Sequence, residues 1–155
     1  MSGRENQPED DTPSGAEAWF ERGVALESAD RDAALLAYTQ AIAFDPAFLN
    51  AHINLGRLLH EGGRHVEAEH VYRDAVKACG SDPVLLYNLA VLLDDLDRGA
   101  QAVEAYEAAL RGDPDLADGH YNLALLCEKP QKPKAAIPPL SRNWRERRVG
   151  KGGKP

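Results

Sequence analysis

The stretch Leu86-Tyr87-Asn88-Leu89-Ala90-Val91-Leu92-Leu93, followed by Ala102, Tyr106, Ala109 and Asp113-Pro114, decides the fold, because it returns at a fixed 34-residue step. Asn54-Leu55 becomes Asn88-Leu89 and then Asn122-Leu123. Ala34, Ala68 and Ala102 share one phase, Tyr38, Tyr72 and Tyr106 a second, and Ala41, Ala75 and Ala109 a third. Recurrence in phase at a fixed period of about 20–50 residues is the mark of stacked supersecondary units, none of which can bury its apolar face alone. Alanine and leucine dominate the repeats and β-branched residues are few, so the units are helical.

Working outward, each unit reads as a pair of helices. In the first, Trp19, Gly23 and Leu26 share a face, a turn falls at Ser28-Ala29-Asp30, and Ala34, Tyr38 and Ala41 line the second helix. Asp45-Pro46 ends it, because a residue before proline avoids the helical region. The step from Gly23 to Gly56 is one short of the period, and Arg22 stands where Leu55 and Leu89 stand later. A terminal unit lacks a neighbour on one side, which accounts for the atypical residue. The second unit turns at Gly62-Gly63 and closes at Gly80-Ser81-Asp82-Pro83. The expected bounds are 16–48, 49–82 and 83–116, with the first helix of a degenerate fourth unit over 117–128.

Gly23, Gly56, Ala90 and Ala124 occupy one equivalent position on the first helices. Glycine inside a helix costs about 1 kcal/mol relative to alanine, so its use implies close approach of the second helix. The facing Ala34, Ala68 and Ala102 are expected to supply the other small surface, with the tyrosines filling the wider gap.

The two ends differ from the repeats. Residues 1–15, with Gly3, Pro8, Pro13 and Gly15 among charges, are expected to be a disordered acidic tail. Beyond His120-Tyr121-Asn122-Leu123-Ala124-Leu125-Leu126-Cys127 come Pro130, Pro133 and Pro138-Pro139. An interior proline costs about 3 kcal/mol or more, so a complete second helix is not expected there. Two outcomes remain for the Pro-rich basic tail 129–155: a short helix over 139–149 with Leu140 and Trp144 on one face, or no structure beyond about Ile137.

The 155-residue chain carries 43% hydrophobic and 28% charged residues, the balance of a soluble globular domain. It holds no apolar run near the ~20 residues of a membrane span, and its start lacks the apolar core of a signal peptide. Cys79 and Cys127 match neither a disulfide framework nor a metal knuckle, which points to a reducing compartment and a cytoplasmic location. The net charge of -7 conceals an asymmetry. Residues 1–118 hold 9 basic and 23 acidic side chains, a net -14, whereas residues 119–155 hold 9 and 2, a net +7.

Leu86, Leu89-Ala90, Leu93, Ala102, Tyr106, Ala109 and Pro114, with their counterparts, resemble the tetratricopeptide repeat (TPR) family over residues 16 to about 128. The resemblance implies an all-α, right-handed solenoid of helical hairpins, of the bacterial type, with three full repeats and a degenerate fourth. It also implies a non-enzymatic interaction module whose first helices line a concave groove for a partner's peptide or helix. Leu55-Gly56-Arg57-Leu58-Leu59-His60-Glu61 more weakly resembles modules found behind mercury-resistance-type regulators. Their DNA-reading helix-turn-helix has no counterpart here, so that role does not transfer.

In that geometry the groove positions are Phe20, Ile53, Tyr87 and Tyr121, then the row Asn54, Asn88 and Asn122, then Val24, Arg57, Val91 and Leu125. His60 and Asp94, together with Glu27 and Glu128, form the rim. A planar amide offers donor and acceptor at once, so the asparagine row either pairs with a peptide backbone or steadies neighbouring helices. Family members that clamp acidic chaperone tails use lysines and an arginine. At those places this chain has Phe20, Val24, Val84 and Asn88, with only Asn54 in agreement, so no such clamp is expected. An apolar segment flanked by lysine or arginine suits the acidic rim of Asp94, Asp95 and Asp97 better.

His60, His65 and His70 cross the Gly62-Gly63 turn, share no helical face, and read as surface residues rather than metal ligands. His52 and His120 hold the large-residue position and read as packed. Asp94-Asp95 reads as a solvated rim, since adjacent helical residues point apart. No phosphate loop, nucleophile elbow or acid–base pair appears, so no catalytic residue, cofactor, metal or small-molecule substrate is expected. The exposed aromatic track also offers a route to self-association. The alternative function places contact with nucleic acid or anionic membrane on residues 129–154, a reading that the acidic body opposes.

Overall fold

The computed structural model describes residues 12–128 and Pro139; the side chains of residues 117–119, 125, 127 and 128 are not described. The expected disordered tail over residues 1–15 lies outside the described residues as far as residue 11, and the expected helix over 139–149 lies outside them apart from Pro139.

Among the described residues every regular element is an α-helix: α1 (Ala16–Leu26), α2 (Arg31–Phe44), α3 (Leu49–Glu61), α4 (His65–Cys79), α5 (Pro83–Asp95), α6 (Gly99–Gly112) and α7 (Ala117–Glu128). Local chemistry sets the bounds. Asp30 caps α2 by accepting from Ala33 N at 3.1 Å. Asp82 caps α5 by accepting from Val84 N and Leu85 N at 3.0 and 3.1 Å, and Pro83 takes the first helical position, where no amide is needed.

The turns inside the second and third hairpins are copies of one another. Arg64 N donates to Leu59 O at 2.8 Å and Arg98 N to Leu93 O at 2.9 Å. Gly63 takes the left-handed conformation (φ 82°) that this closure requires. Asp97, its counterpart in the next repeat, adopts the same region at φ 61°, a conformation that aspartate tolerates better than most residues.

α1 pairs with α2, α3 with α4 and α5 with α6, and successive hairpins join through α2 on α3, α4 on α5, α6 on α7 and α3 on α5. The first helices form one layer and the second helices the other, which is a solenoid. Its core runs between the layers: Ala34, Tyr38 and Ala41, then Ala68, Tyr72 and Ala75, then Ala102, Tyr106 and Ala109 are all fully buried. Each tyrosine removes about 150–250 Å² from water, so this ladder dominates the energetics.

The reason for the glycines differs from the expected one. A Cβ on Gly23 would lie 2.6 Å from Tyr38 Cε1, and one on Gly56 would lie 2.2 Å from Tyr72 Cε1. The small residue makes room for the tyrosine ring itself, rather than for a backbone approach completed by the alanines.

Candidate functional site

Three positions on each first helix, spaced i, i+4 and i+7, fall on one stripe of its surface. They are Phe20 and Val24 on α1 with Glu27 at its C-cap; Ile53, Arg57 and His60 on α3; Tyr87, Val91 and Asp94 on α5; and Tyr121, Leu125 and Glu128 on α7. Together these stripes make up the face on which the family resemblance places the groove, called the inner face below. At its ends the face is open: Val24 is 49% exposed, Tyr121 is 66% exposed and Phe20 is half-buried. In the middle it is sealed, with Ile53, Arg57, His60, Tyr87, Val91 and Asp94 all buried. Every residue of α5 from Val84 to Asp94 is buried, which at about 3.6 residues per turn leaves no side of the helix in water. The side chains of Leu125 and Glu128 lie outside the described residues.

The first inter-hairpin junction is sealed by a charged network. Arg57 Nη2 donates to Glu27 Oε1 at 2.7 Å and Nη1 reaches Glu61 at 3.3 Å, so one guanidinium spans α1 and α3. Glu27 also accepts from the Tyr38 hydroxyl, which accepts in turn from Asn54 Nδ2 at 3.3 Å. Burial works against the Arg57 charge, but the Glu27 hydrogen bond and the charges of Glu27 and Glu61 outweigh it, holding the group above its ordinary pKa. Burial, with Glu27 beside it, pushes the Tyr38 phenol upward. The network is therefore a carboxylate held by one cation and one neutral hydroxyl.

Two members of the asparagine row hydrogen-bond tyrosine hydroxyls. Asn54 donates to Tyr38 and Asn122 Nδ2 donates to the Tyr87 hydroxyl at 2.8 Å. Burial raises the Tyr72 and Tyr106 phenols, and Asn88 and Asn122 respectively draw them part of the way back. A buried hydroxyl without a partner costs about 1–3 kcal/mol; the amides spare the Tyr38 and Tyr87 hydroxyls that cost, whereas the buried Tyr72 and Tyr106 hydroxyls, though near Asn88 and Asn122, make no hydrogen bond. The constant spacing that places Asn54, Asn88 and Asn122 after Tyr38, Tyr72 and Tyr106 anticipates only the first of these bonds, because Asn122 reaches Tyr87 rather than Tyr106. Of the two roles the sequence leaves open for these amides, the bonds of Asn54 and Asn122 are of the kind that steadies neighbouring helices.

Several other positions differ from expectation. His60 is buried rather than at the surface; its Nε2 lies 2.6 Å from Asp95 Oδ2, its ring meets His65 edge-on at 5.1 Å, and its Nδ1 is buried without a hydrogen-bond partner. The turn reverses the chain, which brings together two histidines that helical spacing alone separates. Asp94 is buried and Asp95 is engaged by His60, so the pair is not a purely solvated rim. His52 is packed, with Nε2 2.8 Å from Pro46 O, whereas His120 makes the same contact with Pro114 O at 3.0 Å while remaining exposed.

The outer layer holds a feature that sequence reading missed. A cleft of about 650 Å³ opens between α2 and α4, floored by Leu35, Leu55, Leu59 and Val71 and edged by Asp32, Arg64 and Glu67. Arg64 there turns onto Glu67 of its own helix at 2.7 Å. At the equivalent place between α4 and α6, Glu69 receives Arg98 in a two-bond fork at 2.7 and 2.9 Å and also receives Arg73 at 3.1 Å. Leu35 is the counterpart of Glu69 at the 34-residue step, so the first junction lacks the carboxylate that bridges the second.

Residues 24–83 and 87–142 match the profile of the tetratricopeptide repeat family. No curated protein sequence matches at a significant level. Among solved structures, the first TPR domain of Spaghetti (RPAP3), bound to the HSP90 peptide SRMEEVD, is 19% identical at a TM-score of 0.70, covering 76% of this chain and 94% of that one. A crystal structure of MamA is 18% identical at a TM-score of 0.67, covering 73% and 67%. MamA residues 41-end from Desulfovibrio magneticus RS-1 are 22% identical at a TM-score of 0.63, covering 72% and 63%. At these identities the likeness concerns the fold.

Proposed function

Because this chain belongs to the tetratricopeptide repeat family, we propose that it is a non-enzymatic interaction module that receives a peptide or helical segment of another protein along the inner face of α1, α3, α5 and α7. The supporting observation is that large apolar side chains stand open at both ends of this one face, Val24 on α1 and Tyr121 on α7. Exposed apolar residues that share one face make a contact surface, whereas scattered ones do not. The central residues Ile53, Arg57, His60, Tyr87, Val91 and Asp94 form the floor that a partner uncovers on entry, and Leu125 extends the track on α7. Asn54, Asn88 and Asn122 hold this floor in register.

The ligand chemistry follows from charge. The body carries a net -14 over residues 1–118, with Glu27, Glu61 and Asp95 along the face, so an apolar segment with lysine or arginine flanks is complementary. The neighbour that binds SRMEEVD takes an acidic peptide. Phe20, Val24 and Val84 offer no cation for such a ligand, and a chaperone-tail clamp is not part of this proposal.

The test uses synthetic peptides with an apolar centre and lysine flanks, beside the same centres with glutamate flanks. Binding by fluorescence anisotropy is expected only for the lysine set, and is expected to fall at least several-fold in a Val24→Glu, Tyr121→Ala variant, whose substitutions touch exposed positions. Equal binding of both sets, or no loss in the variant, overturns the proposal.

A further inference from the structure

The outer layer treats its two junctions differently. Between α4 and α6 the chain bridges the gap itself: Arg98 crosses to Glu69, and Arg73 joins the same carboxylate. At the 34-residue step Glu69, His70 and Arg73 correspond to Leu35, Leu36 and Thr39, so these three places on the α2 wall carry no charge. Arg64, the counterpart of Arg98, is held instead by Glu67 through bonds of 2.7 and 2.8 Å. The space it would otherwise cross remains as the cleft of about 650 Å³. Leu36 at its edge is 67% exposed, beside an apolar floor rather than isolated on a polar surface.

We propose that this cleft is a second docking site, separate from the inner face, and that its occupant is a short amphipathic helix of another protein. That helix places two leucine-like side chains, one turn apart, on Leu35, Leu59 and Val71, and carries a lysine or arginine at one end. Length and charge select it. The α4 side of the cleft runs from Arg64 to Val71, about 10 Å at 1.5 Å per residue, which suits anchors at i and i+4 lying between two helices. The charged residues Asp32, Arg64 and Glu67 gather where α2 and α4 begin. Glu67 takes up Arg64, whereas Asp32 makes no hydrogen bond or ion pair among the described residues and acts on Arg64 only at a distance. The rim is thus net negative on a body of net -14 over residues 1–118, so a cation at that end of the incoming helix is complementary and an anion is not. A second copy of the chain would bring a body of the same charge, and that repulsion opposes self-pairing at this place.

The probe is a synthetic peptide with leucines at i and i+4 and a lysine one turn beyond them, beside the same peptide with glutamate for lysine. Both are stapled on the far side, because short helices are marginal in water. They are titrated into the full chain carrying Val24→Glu and Tyr121→Ala, so that the inner face does not contribute. Amide shifts in the magnetic resonance spectrum are expected to gather on residues 32–39 and 64–71, and the glutamate peptide is expected to bind several-fold more weakly. Adding Leu36→Glu, at an exposed position outside the core, is expected to weaken the lysine peptide about tenfold, the worth of one buried leucine contact. Adding Asp32→Asn is expected to weaken it several-fold and to leave a glutamine-for-lysine peptide unaffected. Leu35→Glu with Thr39→Arg rebuilds the clamp of the second junction and is expected to abolish binding; should that variant unfold, Leu36→Glu decides. Shifts that gather elsewhere, equal affinity for the two peptides, or undiminished binding by Leu36→Glu overturns the proposal. Concentration-dependent pairing of the peptide-free chain that Leu36→Glu removes would give the cleft to a second copy, and overturns it too. With the inner face disabled throughout, failure here leaves the reading of that face standing, and the converse also holds.

Discussion

The two junctions between complete hairpins use one backbone plan and place their charges on opposite sides of it. Where the first hairpin meets the second, Arg57 holds Glu27 and Glu61 on the inner face, while the outer face keeps an apolar cleft above Leu35 and Leu59. Where the second meets the third, the inner position of Arg57 is taken by Val91, and the outer position of Leu35 is taken by Glu69, which gathers Arg98 and Arg73. The tyrosine ladder is common to both. The difference teaches that the ladder holds the hairpins together, and that ion pairs are local additions which set what each face offers to solvent or to a partner.

This division can be tested from its strongest element downward. Truncating the common element should cost most: Tyr72→Ala is expected to lose about 3–5 kcal/mol by chemical denaturation. A loss under about 1 kcal/mol would refute the ladder as the main source of stability. Next comes Arg57→Met, which keeps bulk but leaves the half-buried Glu27 without its cation. A loss of about 1.5–3 kcal/mol is expected, against almost none for Val91→Ile at the matching position, and equal effects would erase the contrast. Gly56→Ala comes third, because its Cβ would lie 2.2 Å from the Tyr72 ring. Overpacking of about 1–3 kcal/mol is expected, although the third hairpin carries alanine at the same place, Ala90.

The smallest effect belongs to the outer clamp. The Arg98 hydrogen bond, with Arg73 adding to it, holds the Glu69 carboxyl below its ordinary value of 4.5 against the opposing effect of burial. A depressed folded-state value means that the stabilisation is complete above the unfolded pKa and disappears as pH falls through the folded one. Wild-type stability should therefore decline on the acid side below the usual glutamate range. Glu69→Gln should flatten that decline, by at most about 1 kcal/mol for a pair this exposed. An unchanged acid limb in the variant would remove Glu69 from the account.

Much of the fold was legible because its causes are local and repeated. The 34-residue phase of Ala34, Tyr38 and Ala41 follows from the requirement that each hairpin present the same surface to the next. Asp45-Pro46, Asp82-Pro83 and Gly62-Gly63 mark turns through backbone rules that need no tertiary information. The candidate site was only half legible. The stripe of Phe20, Ile53, Tyr87 and Tyr121 could be placed on one face by period alone, but its accessibility could not, because exposure depends on what lies in front of a helix. The asparagines illustrate the same limit, since a polar residue on a groove stripe looks like a ligand until the hydroxyl behind it is located.

The order of residues by itself determined that this protein is a stack of helical hairpins with a tyrosine ladder and an acidic body, since periodicity, capping and charge are properties of neighbours along the chain. Only the tertiary structure decided that Glu27 on α1 faces Arg57 on α3, that His60 meets Asp95 one hairpin further on, and that the inner face is sealed at its centre and open at its ends. Those outcomes depend on how far apart two hairpins come to rest and on what covers them, and neither distance nor cover is written in a repeat.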